Sequence, residues 1–161
     1  MQDLFEVSEL KTVQDRWCAL GNFFACCLDG TGKRITEMSG CEQDIPKIEA
    51  VLDEDQLYYL FERVSESSLE DQIIDDTRYG NFKVGAVSYK LEGKAVLCWL
   101  VCYVLREDAY DKCSNALQDI SSKTTEETVE ECIDLLRVLF GQLINDRYQL
   151  VHAREKFRKT R

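Results

Sequence analysis

The chain has 161 residues, of which 45% are hydrophobic and 31% charged, with a net charge of −10. This size and composition fit one soluble globular domain with its own core, and they argue against a small disulfide-dense scaffold. The charge is uneven: residues 147–161 carry six Lys or Arg and one Glu, a net of +5, so the rest of the chain carries −15. An acidic body repels phosphate, and we therefore expect no nucleic-acid binding through it.

The chain is expected to be cytoplasmic. Its acidic, amphipathic start does not resemble a secretory signal, and the longest apolar run, Ala95 to Leu105, is eleven residues, too short to span a bilayer. Most of the eight cysteines lie inside apolar runs, which favours buried thiols in a reducing compartment. No membrane-spanning segment is predicted.

The first elements are predicted to be a helix and a hairpin. The helix ends near Gly21 and is marked by apolar residues at helical spacing, which are Leu10, Val13, Trp17 and Leu20. An apolar strand follows over 23–28, Asp29-Gly30-Thr31-Gly32 is a turn signal, and residues 33–38 alternate as a second strand.

Two short helices and three strands are predicted next. Pro46 suits the first turn of a helix over 45–52, and Asp53 can cap a second helix that reaches Val64. The three predicted strands cover 69–77, 82–90 and 95–105, with turns at Arg78–Asn81 and Glu92–Gly93. Residues 106–124 are polar and favour neither a helix nor a loop.

The last of these strands is apolar on both faces. Leu97, Trp99, Val101 and Tyr103 alternate with Cys98, Leu100, Cys102 and Val104. A strand of this kind has to be covered on both sides, which places it at the centre of the sheet.

The segment from Thr124 to Arg161 is predicted to be one long helix, about 50 Å from Thr125 to Phe157 at 1.5 Å per residue. Its apolar residues cover about half of the helix circumference. We therefore expect two partners, the chain's own sheet and a second subunit, in a homodimer. The predicted dimer interface comprises Leu136, Leu139, Phe140, Leu143 and Ile144.

Together these elements predict an α+β fold: a five-stranded antiparallel sheet with helices on its faces, an N-terminal flanking helix and a long C-terminal helix. The predicted domains are a body over residues 1–123 and a signalling or dimerisation helix over 124–161.

Two hairpins and the terminal helix carry a resemblance. The sequence FACCLDGTGKRIT, Phe24 to Thr36, is similar to the opening hairpin of PAS and GAF sensor domains, and VGAVSYKLEGKAVLCWLV, Val84 to Val101, to their closing hairpin. The terminal helix resembles the signalling helix that joins such sensors to an output domain. The PAS-like domain of the PocR type is among the possibilities.

The resemblance implies a bacterial signal-transduction sensor that binds a small molecule or a protein and signals through a helical dimer. Family members carry various cofactors, and no cofactor is identified here. The only histidine, His152, lies in the terminal helix outside the predicted pocket, which argues against haem held by a histidine of the body.

The aromatic residues of the predicted strands are the candidate ligand contacts. These residues are Phe24, Tyr89, Trp99 and Tyr103. They could line a ligand pocket with phenol and indole groups, or they could fill an ordinary core. For the cysteines, packing in the core competes with a redox switch and with a metal or iron–sulfur site built from Cys26 or Cys27, Cys41 and Cys98. No metal site and no catalytic residue is predicted.

Three functions remain open at this point. The first is a sensor domain that relays a signal to an output domain and catalyses no reaction itself. The alternative is a protein-interaction adaptor without a ligand, whose apolar terminal helix binds another protein. A small α+β enzyme is the third, and the scarcity of residues suited to catalysis disfavours it.

Overall fold

The computed structural model describes residues 5–52, 54–66, 71–74, 82–91, 94–106 and 120–159. Four helices and four strands lie in this part of the chain. In chain order they are α1 (Val7–Gly21), β1 (Phe24–Asp29), α2 (Ile45–Val51), α3 (Glu54–Glu66), β2 (Asp71–Ile74), β3 (Phe82–Leu91), β4 (Lys94–Val104) and α4 (Glu126–Lys159).

The strands form one antiparallel sheet in the order β1-β4-β3-β2. Strand β4 pairs with β1 on one side, where Phe24 lies opposite Cys102, and with β3 on the other, where Val84 lies opposite the same cysteine. The two-sided apolar pattern of β4 therefore correctly indicated an internal strand.

Helices cover both faces of the sheet. On one face, α2 and α3 contribute Ile48, Leu57 and Phe61 to a core with Leu100 and Cys102. On the other face, α1 and α4 pack against the alternate residues of the same strands. The buried residues of this second core include Trp17, Trp99, Tyr103, Ile133 and Phe140.

The prediction of a five-stranded sheet was wrong, since the described residues form four strands. Residues 33–38, predicted as the second strand of a hairpin, make only one isolated bridge, between Leu28 and Arg34, and a second bridge joins Ala25 to Ser39 just beyond them. Between these bridges the amide of Cys27 donates to the hydroxyl of Thr36 at 2.8 Å, so a side chain takes the place of a ladder carbonyl.

The buried face of helix α1 differs in part from the predicted one. Its buried side is centred on Gln14 and includes Leu10 and Trp17, whereas Leu20 is exposed. The residue in left-handed conformation after the helix is Asn22, with φ of 56°.

Some predicted features lie outside the described residues. These are the turns at 78–81 and 92–93, the ends of the strand predicted over 69–77, and residues 107–119 of the polar segment.

Candidate interaction surface

Helix α4 has an inner face that the rest of the chain covers. Its buried residues recur at spacings of three and four, so they form one side of the helix against α1 and the sheet. They are Val129, Cys132, Ile133, Leu136, Phe140 and Ile144. The body therefore holds the first half of α4 by ordinary core packing.

Three polar contacts fix α4 against the body. The indole of Trp17 donates to the carbonyl oxygen of Cys132 at 2.9 Å. The hydroxyl of Tyr89 donates to the carbonyl oxygen of Leu136 at 3.0 Å. The ammonium of Lys83 lies 2.9 Å from the carboxylate of Glu126 in the first turn. These contacts come from both α1 and β3, so they hold the helix on either side.

A further contact lies beyond the last fully buried residue of α4. Arg147 donates to both carboxylate oxygens of Glu9 in α1, at 2.5 and 2.9 Å, and its guanidinium lies over the ring of Phe5 at 4.5 Å. The hydrogen bond from Arg147 is the main cause of the lowered pKa of the Glu9 carboxyl. Partial burial acts to raise this pKa, and the positive charge of Arg147 lowers it further. The body thus holds α4 as far as this turn.

The outer face of α4 is apolar and exposed. Leu139 and Leu143 are 62% and 38% exposed, and Leu150 and Phe157 are 53% and 64% exposed. We call these four residues, with Leu135 at 47%, the outer stripe. Single exposed leucines are ordinary, but a row of them along one helix forms an apolar patch of the kind found at interaction sites.

The residues predicted for the dimer interface are divided between the two faces. Leu139 and Leu143 belong to the outer stripe, whereas Leu136, Phe140 and Ile144 point into the core of their own chain. Leu135, Leu150 and Phe157 were not in the predicted set. The seven-residue spacing of Leu143, Leu150 and Phe157 is a signal in the sequence that could have identified two of them.

The four residues predicted to contact a ligand are buried on opposite faces of the sheet. Phe24 belongs to the core beneath α2 and α3, and Tyr89, Trp99 and Tyr103 to the core beneath α1 and α4. The ring of Phe140 lies 4.6 Å from that of Trp99 and 5.4 Å from that of Tyr89, between centroids. Ligand binding by these residues stays a prediction, which native mass spectrometry of the purified chain would test.

A cleft of about 620 Å³ lies between α1 and residues 37–45, beside a hydrogen-bonded polar cluster. The hydroxyl of Ser39 accepts from Lys11 at 2.8 Å and from Gln14 at 2.7 Å, and it donates to the carboxylate of Asp15 at 2.5 Å. Burial acts to raise the pKa of Asp15, but hydrogen bonds from Lys11 and Ser39 outweigh it and lower the pKa. A carboxylate of lowered pKa is a weak base, so this cluster is poorly suited to activating the Ser39 hydroxyl.

The described cysteines are free thiols, and all but the half-buried Cys41 are buried. Burial raises the pKa of Cys26 and of Cys98 to about 12, which keeps both protonated and unreactive at neutral pH. Cys26 lies in one core and Cys27 in the other. Within the described ranges, we find no group of three or more His, Cys, Asp or Glu placed to hold a metal ion.

None of the described helices has both the length and the hydropathy that a bilayer crossing requires. This finding includes α4, whose apolar residues alternate with charged ones along 34 residues.

No family model matches the chain, and no curated protein sequence matches it. Among solved structures, the chain is similar to Myxococcus xanthus MglB, with 13% identity and a TM-score of 0.44, over 86% of this chain and 92% of that chain. An identity and a TM-score this low establish neither a shared family nor a shared function.

The predicted PAS/GAF-like sensor domain, with the PocR type among its possibilities, was wrong. MglB, a solved structure to which the chain is similar, is not a PAS or GAF domain, and no family model matches. The described sheet also lacks the fifth strand predicted from the order of elements, because the hydrogen bond from the amide of Cys27 to the hydroxyl of Thr36 interrupts the pairing of residues 33–38 with β1.

Proposed function

We propose that this chain is a regulatory protein-interaction module that acts through the outer stripe of α4. The single observation that supports the proposal most directly is the division of α4 into two apolar faces. One face is filled by α1 and the sheet, and the other presents Leu139, Leu143 and Leu150 to solvent. The partner we propose first is a second copy of the chain.

The energetics favour an apolar partner helix. Burying a leucine side chain contributes about 1.5–3 kcal/mol, so completing the burial of a half-exposed leucine contributes about 1 kcal/mol. Several such residues in one row can offset the entropic cost of association, particularly on a helix that the body already holds rigid. A helix packed along the stripe would supply this burial.

The module is proposed to be non-catalytic, and its predicted cytoplasmic location stays a prediction. Supporting the first point, the Ser39 cluster contains a carboxylate of lowered pKa, and the strongly buried thiols of Cys26 and Cys98 have raised pKa values. The function therefore rests on a surface rather than on a reactive group.

The test replaces the outer stripe while preserving the helix. In the triple variant Leu139→Gln, Leu143→Gln, Leu150→Gln, glutamine keeps a good helix propensity but removes the apolar contact. We expect self-association, measured by sedimentation velocity over a range of concentrations, to weaken about a hundredfold or more, since each residue contributes about 1 kcal/mol.

The matched control is Leu20→Gln, which replaces an exposed leucine of α1 and is expected to leave association unchanged. Circular dichroism and thermal unfolding should show that both variants remain folded. A wild-type chain that stays monomeric at high concentration would contradict the homotypic partner. Equal association by wild type and triple variant would contradict the role of the stripe.

A further inference from the structure

Apart from Leu135, the residues of the outer stripe follow the seven-residue repeat of a two-helix coiled coil. Leu143, Leu150 and Phe157 are spaced by seven, and Leu139, Asp146 and Ala153 occupy the intervening positions of the same repeat. All six are exposed, and Leu143 is 38% exposed. The repeat predicts that the stripe accommodates one further helix lying lengthwise along α4.

The two ends of α4 have opposite charge. Residues 126–134 contain five carboxylates and no base, whereas residues 147–159 contain five Lys or Arg and one Glu. Two copies of α4 side by side in parallel would bring acids against acids and bases against bases. Two antiparallel copies would bring each acidic end against a basic end, which is the favourable arrangement.

Asp146 supports the same orientation. It lies within the repeat, so a parallel pair in register would place its carboxylate against the identical carboxylate of the other copy. In an antiparallel pair centred between Leu143 and Asp146, each aspartate instead faces the partner's Leu143 at the middle of the pair. Under that alignment Leu139 would pack on the partner's Leu150.

The length of α4 fits this arrangement. Ile144 is the last fully buried residue, and the helix continues to Lys159, about 22 Å further at 1.5 Å per residue. In the antiparallel pair this second half would lie along the first half of the other α4. The two bodies would then lie at opposite ends of the pair and would not compete for the same space.

We propose that α4 binds α4 of a second copy in antiparallel orientation, with the acidic start of each helix beside the basic end of the other. This proposal rests on the proposed function, since it assigns both the partner and its direction to the outer stripe.

Charge reversal tests the direction. The acid variant is Glu127→Lys with Glu131→Lys, and the basic variant is Arg154→Glu with Arg158→Glu. In the alignment above Glu131 lies opposite Arg158, and Glu127 and Arg154 each lie one turn from that pair. Glu126 is left unchanged because it pairs with Lys83. Each variant alone should weaken association about tenfold, and the chain carrying all four changes should recover it, because opposite charges again face each other. In a parallel pair the changed charges would still face their own copies, so no recovery would follow.

A photo-crosslink tests the direction without altering charge. A benzoyl-phenylalanine at Gln149, an exposed position, should crosslink across the dimer to the tryptic peptide of residues 138–147. A crosslink to the peptide of residues 148–154 would show a parallel pair and overturn the antiparallel proposal. In that case association that still depends on Leu139 and Leu150 would leave the proposed function standing.

The failures are separable. A dimer that is insensitive to the triple glutamine variant would overturn both proposals, because the stripe would not be the interface. A monomeric wild-type chain would overturn the homotypic pair. Circular dichroism of every charge variant excludes unfolding as the cause, and the variants Glu127→Gln with Glu131→Gln provide a neutral comparison whose effect should lie between those of wild type and the acid variant.

Discussion

Single buried polar side chains hold distant segments of this chain together. Gln14 is fully buried in α1, and its amide accepts from Thr36 at 2.6 Å and from the indole of Trp99 at 3.1 Å. It also donates to the carbonyl of Glu37 at 2.7 Å. A buried amide with several hydrogen bonds is costly to remove, because its partners would remain buried without it. These contacts join α1, β4 and the segment after β1.

Asp44 has a comparable role at the start of α2. Its buried carboxylate accepts from the amides of Ser121 and Ser122, both at 3.2 Å, and from the hydroxyl of Ser121 at 3.0 Å. Burial acts to raise the pKa of Asp44, but these hydrogen bonds outweigh it and lower the pKa below its ordinary value of 3.8. The ionised form is therefore favoured by folding.

The stability that Asp44 contributes should depend on pH. Because the folded-state pKa is lowered, the contribution is present above the unfolded pKa and is lost as the pH falls through the lower folded pKa. We expect Asp44→Asn to reduce the free energy of unfolding by about 1–3 kcal/mol at pH 7. The difference from wild type should shrink as the pH falls below 3.8.

Urea unfolding at several pH values measures this difference. Glu42→Gln, an exposed neighbour, is the control and should change the free energy of unfolding little at any pH. A constant difference between wild type and Asp44→Asn from pH 7 to pH 3 would show that the charge of this carboxylate is not what folding favours.

At the scale of the element, the start of α4 is set by a cap that comes directly before it. The hydroxyl of Thr125 accepts from the amide of Thr128 at 3.2 Å, which satisfies one of the amides left free at a helix start. Glu126 and Glu127 in the first turn also interact favourably with the helix dipole.

Removing the cap should destabilise the fold without disturbing the outer stripe. We expect Thr125→Ala to lower the free energy of unfolding by about 1 kcal/mol. Thr125→Ser should retain most of the stabilisation by the cap, because serine keeps the hydroxyl. Urea denaturation followed by circular dichroism measures both. Equal losses in the two variants would indicate that the threonine methyl group, rather than the hydroxyl, is the stabilising part.

Elements differ in how well their own residues predict them. The alternation in β4 and the repeat in α4 are strong local patterns, and the structure has both elements. The segment 33–38 has a weaker alternation. There Gln14 donates to Glu37, and Thr36 donates to Gln14 and accepts from Cys27, and these contacts between three separate segments prevailed over strand pairing. A pattern within six residues contains no information about such partners.

At the scale of the whole molecule, the proposed antiparallel pair should respond to salt. Opposite charges attract over a Debye length of about 10 Å at 0.1 M salt and about 3 Å at 1 M, so screening removes part of the attraction. We expect the dissociation constant to rise several-fold between 50 mM and 500 mM sodium chloride, measured by sedimentation equilibrium.

The chain with all four charge reversals should show a similar salt dependence, since its ends also attract. The opposite trend, with tighter association of wild type at high salt, would show that repulsion between the acidic bodies outweighs attraction between the helix ends, and it would contradict the assigned role of charge. Salt-independent association would leave the apolar stripe as the whole basis of the pair and would also contradict the assigned role of charge.

The sequence alone was enough to predict a central strand apolar on both faces and a long terminal helix with more apolar surface than one neighbour covers, whereas the five-stranded sheet it predicted was wrong. These properties follow from periodicity, which local residues contain. Only the tertiary structure separated Leu136, Phe140 and Ile144, which face the body, from Leu139 and Leu143, which face solvent. That division depends on where α1 and β3 lie against α4, through contacts such as Trp17 with Cys132 and Tyr89 with Leu136, and these join residues far apart in the chain.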